Sequence, residues 1–367
     1  MVLLPALGLL LLLSSPIDAA PSHQFDAFFP GWNAMIQSYL RTNCSAPFYR
    51  YQKSMPSSPK GSATDAVFPL IECILDQFPE FRKAEMAASA VILGLLPTIL
   101  QSLGSTSAET SLLGLRRPVL ALLCATGSPA VRRMTAGEFL RNISRFTVRG
   151  GGADQARVFV MPGLSYTHIP AMYRLWVSVF EYGIVGGAVA NVMILTYQLS
   201  VHALVVFSPR TIILLPLWTS LAVVIHLAGV LALYMRVRME EIRDTGGVSG
   251  RFRSRISDEF TPSFFQPSKT WELRTENIWF QVTTWMLSIG TVAHTVFGTL
   301  ILSSLLFFSV ADSVNIVARY AISTVACRTV LRFELAGMSE ATKKQSHEET
   351  QEMALKDATC TVQEQSD

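Results

Sequence analysis

The sequence has little charge and almost no charge imbalance. Of its 367 residues only 16% are charged, and the formal net charge is +3. So small a net charge gives no argument for binding nucleic acid, and we expect no DNA or RNA partner. The chain also contains no internal repeat of fixed period, which excludes solenoid and propeller architectures.

The sequence also lacks the short patterns that mark common active sites. It contains no G-x-S-x-G, no P-loop and no G-x-G-x-x-G. Its six histidines are widely spaced, and the nearest two, His202 and His226, are 24 positions apart. Membrane desaturases and hydroxylases need many histidines in short-spaced boxes, so a di-iron site is excluded. We therefore predict no catalytic residue, no metal site and no cofactor.

What the sequence does have is long apolar blocks separated by Arg-rich polar blocks. Half of all residues are hydrophobic. A helix needs roughly 20 apolar residues to cross about 30 Å of hydrocarbon. The pattern predicts an all-α membrane protein of about four transmembrane helices with a small N-terminal lumenal or extracellular ectodomain. The predicted transmembrane helices are residues 84–104, 175–200, 211–235 and 278–309.

The N-terminal residues are typical of a secreted or membrane-inserted chain. The apolar run from Val2 to Leu13 is too short to span, and residues 1–20 are predicted to be a cleaved signal peptide. Residues 21–83 would then fold as an ectodomain in an oxidising compartment. There we expect a disulfide between Cys44 and Cys73 and a glycan on Asn43, in the sequon N-C-S. The other three cysteines are predicted to be free.

Two Arg-rich regions, residues 105–174 and 236–277, are predicted to be cytosolic. Positive residues favour the cytosolic side, and the two spans between these regions place both on one side of the membrane. Asn142, in a second sequon, should therefore carry no glycan. Residues 111–127 form an apolar segment too short to span. We predict an interfacial or re-entrant helix there, with a helix of a soluble cytosolic subdomain as the alternative.

The segment 313–336 is apolar but interrupted by Arg319, Arg328 and Arg332. An arginine at the centre of a membrane helix costs about 2.5–3.5 kcal/mol on insertion scales. An amphipathic helix at the membrane surface is therefore preferred, and a fifth span is the alternative. The polar tail, residues 339–367, is predicted to be disordered. Four spans would leave it lumenal, and five would leave it cytosolic.

The second predicted span carries a stripe of small and polar residues. In "EYGIVGGAVANVMILTYQLSVH" they recur at intervals of four or seven, and so share one helical face: Gly183, Gly187, Asn191, Gln198 and His202. The third and fourth spans each place one histidine among small residues, His226 and His294.

Two hypotheses fit this pattern. The first is a polar pocket or proton relay of Asn191, His226 and His294, with His202 at its lumenal mouth. The second is a packing seam, in which these groups form hydrogen bonds between helices. Each such bond stabilises the packing by about 0.6–2 kcal/mol. The small neighbours of each polar residue favour the seam. Glu181, seven residues after Arg174, is expected to extend to the membrane surface rather than to catalyse.

Three blocks, "AEMAASAVILGLLPTILQSLG", "LLGLRRPVLALLCATGSPAV" and "CRTVLRFELAGM", resemble a family of fungal multi-pass membrane proteins of unassigned function. The resemblance covers residues 65 to 338. It implies a signal-bearing fungal integral membrane protein, in some cases encoded beside secondary-metabolite genes. The resemblance identifies no active-site residue in this sequence.

Three functional classes remain, and the first is favoured. It is a non-enzymatic sensor, scaffold or accessory protein of the secretory pathway or plasma membrane. Its partners would be the lipid bilayer and proteins bound by the ectodomain and the Arg-rich loops. The second is a small-molecule transporter that uses the Asn/His pocket. The third is a membrane-bound enzyme, which a cofactor bound to the purified protein would support.

Overall fold

A computed structural model describes residues 23–54, 64–134, 173–209, 211–239, 258–266, 271–273 and 278–364. Within these ranges the chain is almost wholly helical, with three pairs of very short strands. Among the described residues four helices are long and apolar enough to cross a membrane, which agrees with the prediction of about four apolar spans. The predicted signal peptide, most of both Arg-rich loops and Asn142 lie outside the described residues.

The chain divides into two compact units. Unit 1 comprises residues 1–92, 197–214 and 304–314, and unit 2 comprises residues 93–196, 215–303 and 315–367. The α-helices that the structure describes are, in order, α1 (Pro30–Arg41), α2 (Ser45–Ser54), α3 (Thr64–Gln77), α4 (Glu80–Leu103), α5 (Ser107–Arg116), α6 (Pro118–Gly127), α7 (Arg174–Val201), α8 (Leu214–Arg236), α9 (Ile278–Ser303) and α10 (Val310–Glu364).

The short strands pair within the units. In unit 1, β3 (Leu204–Val205) pairs antiparallel with β6 (Leu305–Leu306). In unit 2, β1 (Ser105–Thr106) runs parallel to β2 (Val131–Arg132), and β4 (Val237–Met239) runs antiparallel to β5 (Trp271–Leu273). The β1–β2 pair brings together the two ends of the segment that contains α5 and α6.

Unit 1 is built on an aromatic core. Trp32, Ile36 and Leu40 recur every four residues on one face of α1 and are all buried. The ring of Trp32 meets the ring of Phe78 edge-on, with 5.3 Å between centroids. The predicted disulfide between Cys44 and Cys73 is present, and it joins the start of α2 to α3. A unit this small gains stability from such a cross-link.

The first turn of α10 is tied to the start of α1 inside unit 1. The backbone N–H of Gly31 donates to the carboxylate of Asp312, at 3.1 Å to Oδ2 and 3.4 Å to Oδ1. Negative charge is favourable at a helix N-terminus, where N–H groups have no partner within the helix. Asp312 also accepts a hydrogen bond from the hydroxyl of Ser309, at 2.7 Å, so its carboxylate is held from two sides.

The apolar segment predicted as one interfacial helix, residues 111–127, is instead two helices inside unit 2. A capping box of Thr106 and Glu109 begins α5, and Pro118 prevents α5 from continuing, so α6 starts there. Every residue of α5 except Glu109 is buried. α5 is therefore packed inside unit 2, whereas α6 leaves Val119 and Leu122 exposed.

The last helix is also longer than the sequence predicted. Where the tail 339–367 was expected to be disordered, α10 continues without a break to Glu364. The tail contains many Glu, Gln, Ala and Lys residues, which are good helix formers, and this local propensity favours a helix in spite of the tail's polarity.

Candidate functional site

Asn191, the centre of the predicted pocket, lies between α7 and α10. Its amide nitrogen donates to the hydroxyl of Ser323 at 2.8 Å and to the backbone carbonyl of Arg319 at 3.0 Å. Its amide oxygen accepts from Nε of Arg319 at 2.9 Å. Both ends of the amide are therefore engaged, and they bind α10 to α7.

The two membrane histidines each hydrogen-bond to a backbone carbonyl. Nε2 of His226 donates to the carbonyl of Ala130 at 3.3 Å, and Nε2 of His294 donates to the carbonyl of Trp218 at 3.1 Å. The ring of His294 also stacks on that of Trp218, with the planes 10° apart. Within the described part of the chain, no hydrogen bond joins Asn191, His226 and His294 to one another.

The remaining predicted residues belong to unit 1. His202 lies directly after α7, and its backbone N–H donates to the carbonyl of Gln198. Asn43 is exposed, and its side-chain amide donates to the side chain of Gln77. Cys44 and Cys73 form the disulfide described above.

The glycines of the predicted seam are packed in α8 and α9 but not in α7. A Cβ added at Gly229 would lie 2.8 Å from Cβ of Ser107, and one at Gly298 would overlap the indole of Trp218. A Cβ at Gly183 or Gly187 would meet nothing within 4 Å. The close approach expected at the Gly-x-x-x-Gly of α7 is therefore absent from the described structure.

An open cleft of about 370 Å³ lies beside those unpacked glycines. It is formed by α7 and α10, and Gly187, Asn191, Arg319 and Ser323 line it together with apolar side chains. The absence of a side chain at Gly187 leaves this space open. This part of the predicted pocket therefore has open space beside Asn191.

A buried ionic cluster, which the sequence analysis did not predict, lies elsewhere in unit 2. We call it the Arg117 cluster, and its members are Arg117, Ser178, Glu181, Glu259, Ser263 and Glu334. The guanidinium of Arg117 is 0% exposed. Its Nη1 donates to Glu181 at 2.5 Å and to Glu334 at 2.8 Å.

The other two side-chain nitrogens of Arg117 also donate hydrogen bonds. Nη2 donates to the hydroxyl of Ser178 and Nε to the backbone carbonyl of Glu259, each at 2.8 Å. The arginine therefore joins the α5–α6 junction to α7, to the segment 258–266 and to α10. The planar guanidinium, with five donors, suits such a multiple contact better than a lysine would.

The carboxylates of the cluster have further donors. Glu334 accepts from the backbone N–H and the hydroxyl of Ser263, at 3.2 and 2.5 Å. Glu259 accepts from the N–H of Leu120 at 3.0 Å and from the hydroxyl of Tyr182 at 2.7 Å. These donors offset the cost of taking the carboxylates out of water.

Charge on Arg117 is retained in spite of burial. Burial lowers the pKa of its guanidinium, but the carboxylates of Glu334 and Glu181 outweigh burial and hold that pKa above its ordinary value. Arg116, next along the chain, is also buried, and its Nε and Nη1 have no hydrogen-bond partner among the described residues. Burial lowers the pKa of Arg116, and the charges of Glu334 and Asp258 oppose that shift.

The expectation that Glu181 extends to the membrane surface is wrong, because its side chain is 5% exposed and ion-paired with Arg117. The burial of Glu181 could have been inferred from the sequence. Residues of the buried face of α7 recur every three or four positions, and Glu181 is in register with them: Ser178, Glu181, Val185, Ala188, Val192, Leu195 and Leu199. This buried stripe lies on a different face of α7 from the stripe of Gly183, Gly187 and Asn191.

No protein-family model, no curated protein and no solved structure matches this chain. The resemblance to fungal membrane proteins therefore gains no support from these comparisons. The class of protein follows from the fold itself: four long apolar helices, with a disulfide-linked unit, indicate an integral membrane protein.

Proposed function

We propose that this chain is a non-enzymatic sensor, scaffold or accessory protein of the secretory pathway or cell surface. It would bind protein partners through its N-terminal unit and its Arg-rich loops. The observation that carries this proposal is the engagement of Asn191, His226 and His294 in hydrogen bonds between elements of the bundle. Groups engaged in this way hold helices together, which is the role that a packing seam requires.

As part of this proposal, α10 crosses the membrane as a fifth helix. Three contacts support an antiparallel course along α7: Tyr320 meets Thr196, Ser323 meets Asn191, and Glu334 shares Arg117 with Glu181. Glu181 and Thr196 are separated by about 22 Å along α7, at a rise of about 1.5 Å per residue. Tyr320 and Glu334 are separated by about 21 Å along α10 on the same rise, so the two helices stay in register over most of a bilayer.

The arginines that argued against a fifth span have partners inside the protein. Arg319 donates to the side chain of Asn191, and Arg328 donates to the backbone carbonyl of Leu103 at 2.7 Å. Hydrogen bonds to protein groups reduce the cost of an arginine at membrane depth. With five spans the N-terminal unit and the tail lie on opposite sides of the membrane, the arrangement that a sensor needs.

The binding function is tested on the full chain in mild detergent, by native mass spectrometry of the purified complex. Tyr49 and Phe68 are large exposed side chains of α2 and α3 in unit 1. Changing both to Ser should release a bound protein, while Gln52→Ala, at an exposed position of α2, should not. A chain that is monomeric before and after these changes would remove the support for a scaffold.

The transporter hypothesis retains one specific observation, the open cleft that Asn191 and Arg319 line. It predicts that Asn191→Leu abolishes uptake or efflux of a substrate while the protein level stays normal. A fall in protein level alone would favour the scaffold.

A further inference from the structure

Glu181 and Glu334 face one another beside Arg117, on helices that are far apart in sequence. Their side chains are 5% and 0% exposed. Nη1 of Arg117 donates to both of them, at 2.5 and 2.8 Å, so the two carboxyl groups lie against a single nitrogen atom. Two ionised carboxylates held this close repel one another, and a proton on either of them removes the repulsion.

The charges around this pair favour a bound proton. Arg117 supplies one positive charge to two carboxyl groups, so the fully ionised trio is negative and buried. Among the described residues the other charged groups nearby are Arg116, Asp258 and Glu259, which add one positive and two negative charges. The phenol of Tyr182 and the thiol of Cys124 are the other titratable groups beside the cluster. A buried, uncompensated negative charge is costly, and like charges in contact disfavour joint ionisation.

The hydrogen bonds indicate which carboxyl group carries the proton. Both oxygens of Glu334 accept hydrogen bonds, one from Arg117 and the other twice from Ser263. Glu181 accepts only through Oε2, and its Oε1 is buried with no hydrogen-bond partner among the described residues. Both oxygens of Glu334 are therefore occupied by donors, whereas Oε1 of Glu181 is the oxygen with room for a proton.

We propose that Glu181 and Glu334 bind one proton between them, carried on Glu181, and that this proton holds α7 against α10. With the proton bound, Arg117 and the carboxyl pair are together neutral. Loss of the proton leaves two adjacent carboxylates to share one guanidinium, and their repulsion separates the two helices. The site is therefore a proton-binding contact, and it does not depend on the partner-binding function proposed above.

Infrared spectroscopy of the purified full chain tests the proposal directly. The wild type should show the carbonyl stretch of a protonated carboxylic acid, and this band should disappear when the pH is raised. Glu181→Gln should remove the band, whereas Glu85→Gln, a partly exposed carboxylate of unit 1, should leave it. Absence of the band from the wild type, or its persistence in Glu181→Gln, would overturn the proposal.

Thermal stability gives a second and independent measurement. Glutamine at position 181 keeps an acceptor for Arg117 and a donor for Glu334, so Glu181→Gln should retain the wild-type melting temperature and lose its decrease at high pH. Glu334→Gln should melt at a lower temperature, because Arg117 and Ser263 lose an ionised acceptor. An equal fall in melting temperature for both variants would mean that Glu181 is ionised, and the shared proton would be rejected.

Discussion

Arg117 and Glu334 are 217 residues apart in the chain, and their side chains form a 2.8 Å ion pair with no exposure to solvent. Such a pair is expensive to desolvate, and it is retained only when further hydrogen bonds satisfy both groups. Arg117 has those bonds through Ser178 and the carbonyl of Glu259. The pair therefore fixes where α10 lies relative to the α5–α6 junction.

Removing the positive charge of this pair should strongly destabilise the protein. In Arg117→Met, Glu181 and Glu334 lose the one guanidinium that they share. Breaking a buried pair from one side costs about 3–5 kcal/mol, so the purified variant should melt well below the wild type in detergent. Arg133→Met, at an exposed position after β2, is the matched control. Equal melting temperatures for the two variants would mean that the cluster contributes nothing to stability.

The glycines of the bundle should divide into sensitive and tolerant positions. Gly298→Ala places a methyl group against the indole of Trp218 and 2.9 Å from the ring of Pro97. Overpacking of this kind costs about 1–3 kcal/mol, and the melting temperature should fall.

Gly183→Ala is the matched substitution on α7, where the new methyl group meets no atom within 4 Å. Alanine is favoured over glycine within a helix by about 0.5–1 kcal/mol, so the melting temperature should be unchanged or higher. A loss of stability in Gly183→Ala would indicate that another helix packs on this face in the folded protein.

The two histidines should behave as structural groups. His226→Ala and His294→Ala each remove a hydrogen bond to a backbone carbonyl, which in membrane bundles is worth about 0.6–2 kcal/mol. Both variants should show a reduced protein level and a lower melting temperature. A normal protein level together with lost transport of a substrate would instead support the transporter.

Topology can be tested by glycosylation mapping in yeast. Asn43→Gln should abolish the endoglycosidase-sensitive shift, and Asn142→Gln should leave it unchanged. The tail can be tested with the double change Glu352→Asn and Ala354→Thr, which creates a new sequon. If α10 crosses the membrane, this sequon remains unmodified, whereas a new shift would place the tail in the lumen and leave four spans.

The membrane helices were predictable because their signal is local. A run of about 20 apolar residues defines a span whatever the rest of the chain does, and the pairing of Cys44 with Cys73 followed from their shared compartment. The α5–α6 pair was not predicted, although its sequence signals are also local. A capping box at Thr106 marks the start of one helix and Pro118 marks the start of the next, but the prediction rested only on the length of the apolar run.

The Arg117 cluster was missed for a different reason. Each of its charged members lies in a separate part of the sequence, and each by itself resembles an ordinary residue at the end of an apolar block. Only the packing of α7, α10 and the segment 258–266 around one guanidinium makes them a site.

The sequence alone therefore determined that this chain is a helical membrane protein with a disulfide near its N-terminus, because hydropathy and cysteine spacing act over short stretches. The tertiary structure decided which polar groups meet. It engaged Asn191, His226 and His294 in separate hydrogen bonds and brought Glu181 and Glu334 together beside Arg117. Charges buried in an apolar interior must find partners, and the fold as a whole determines which partners come within reach.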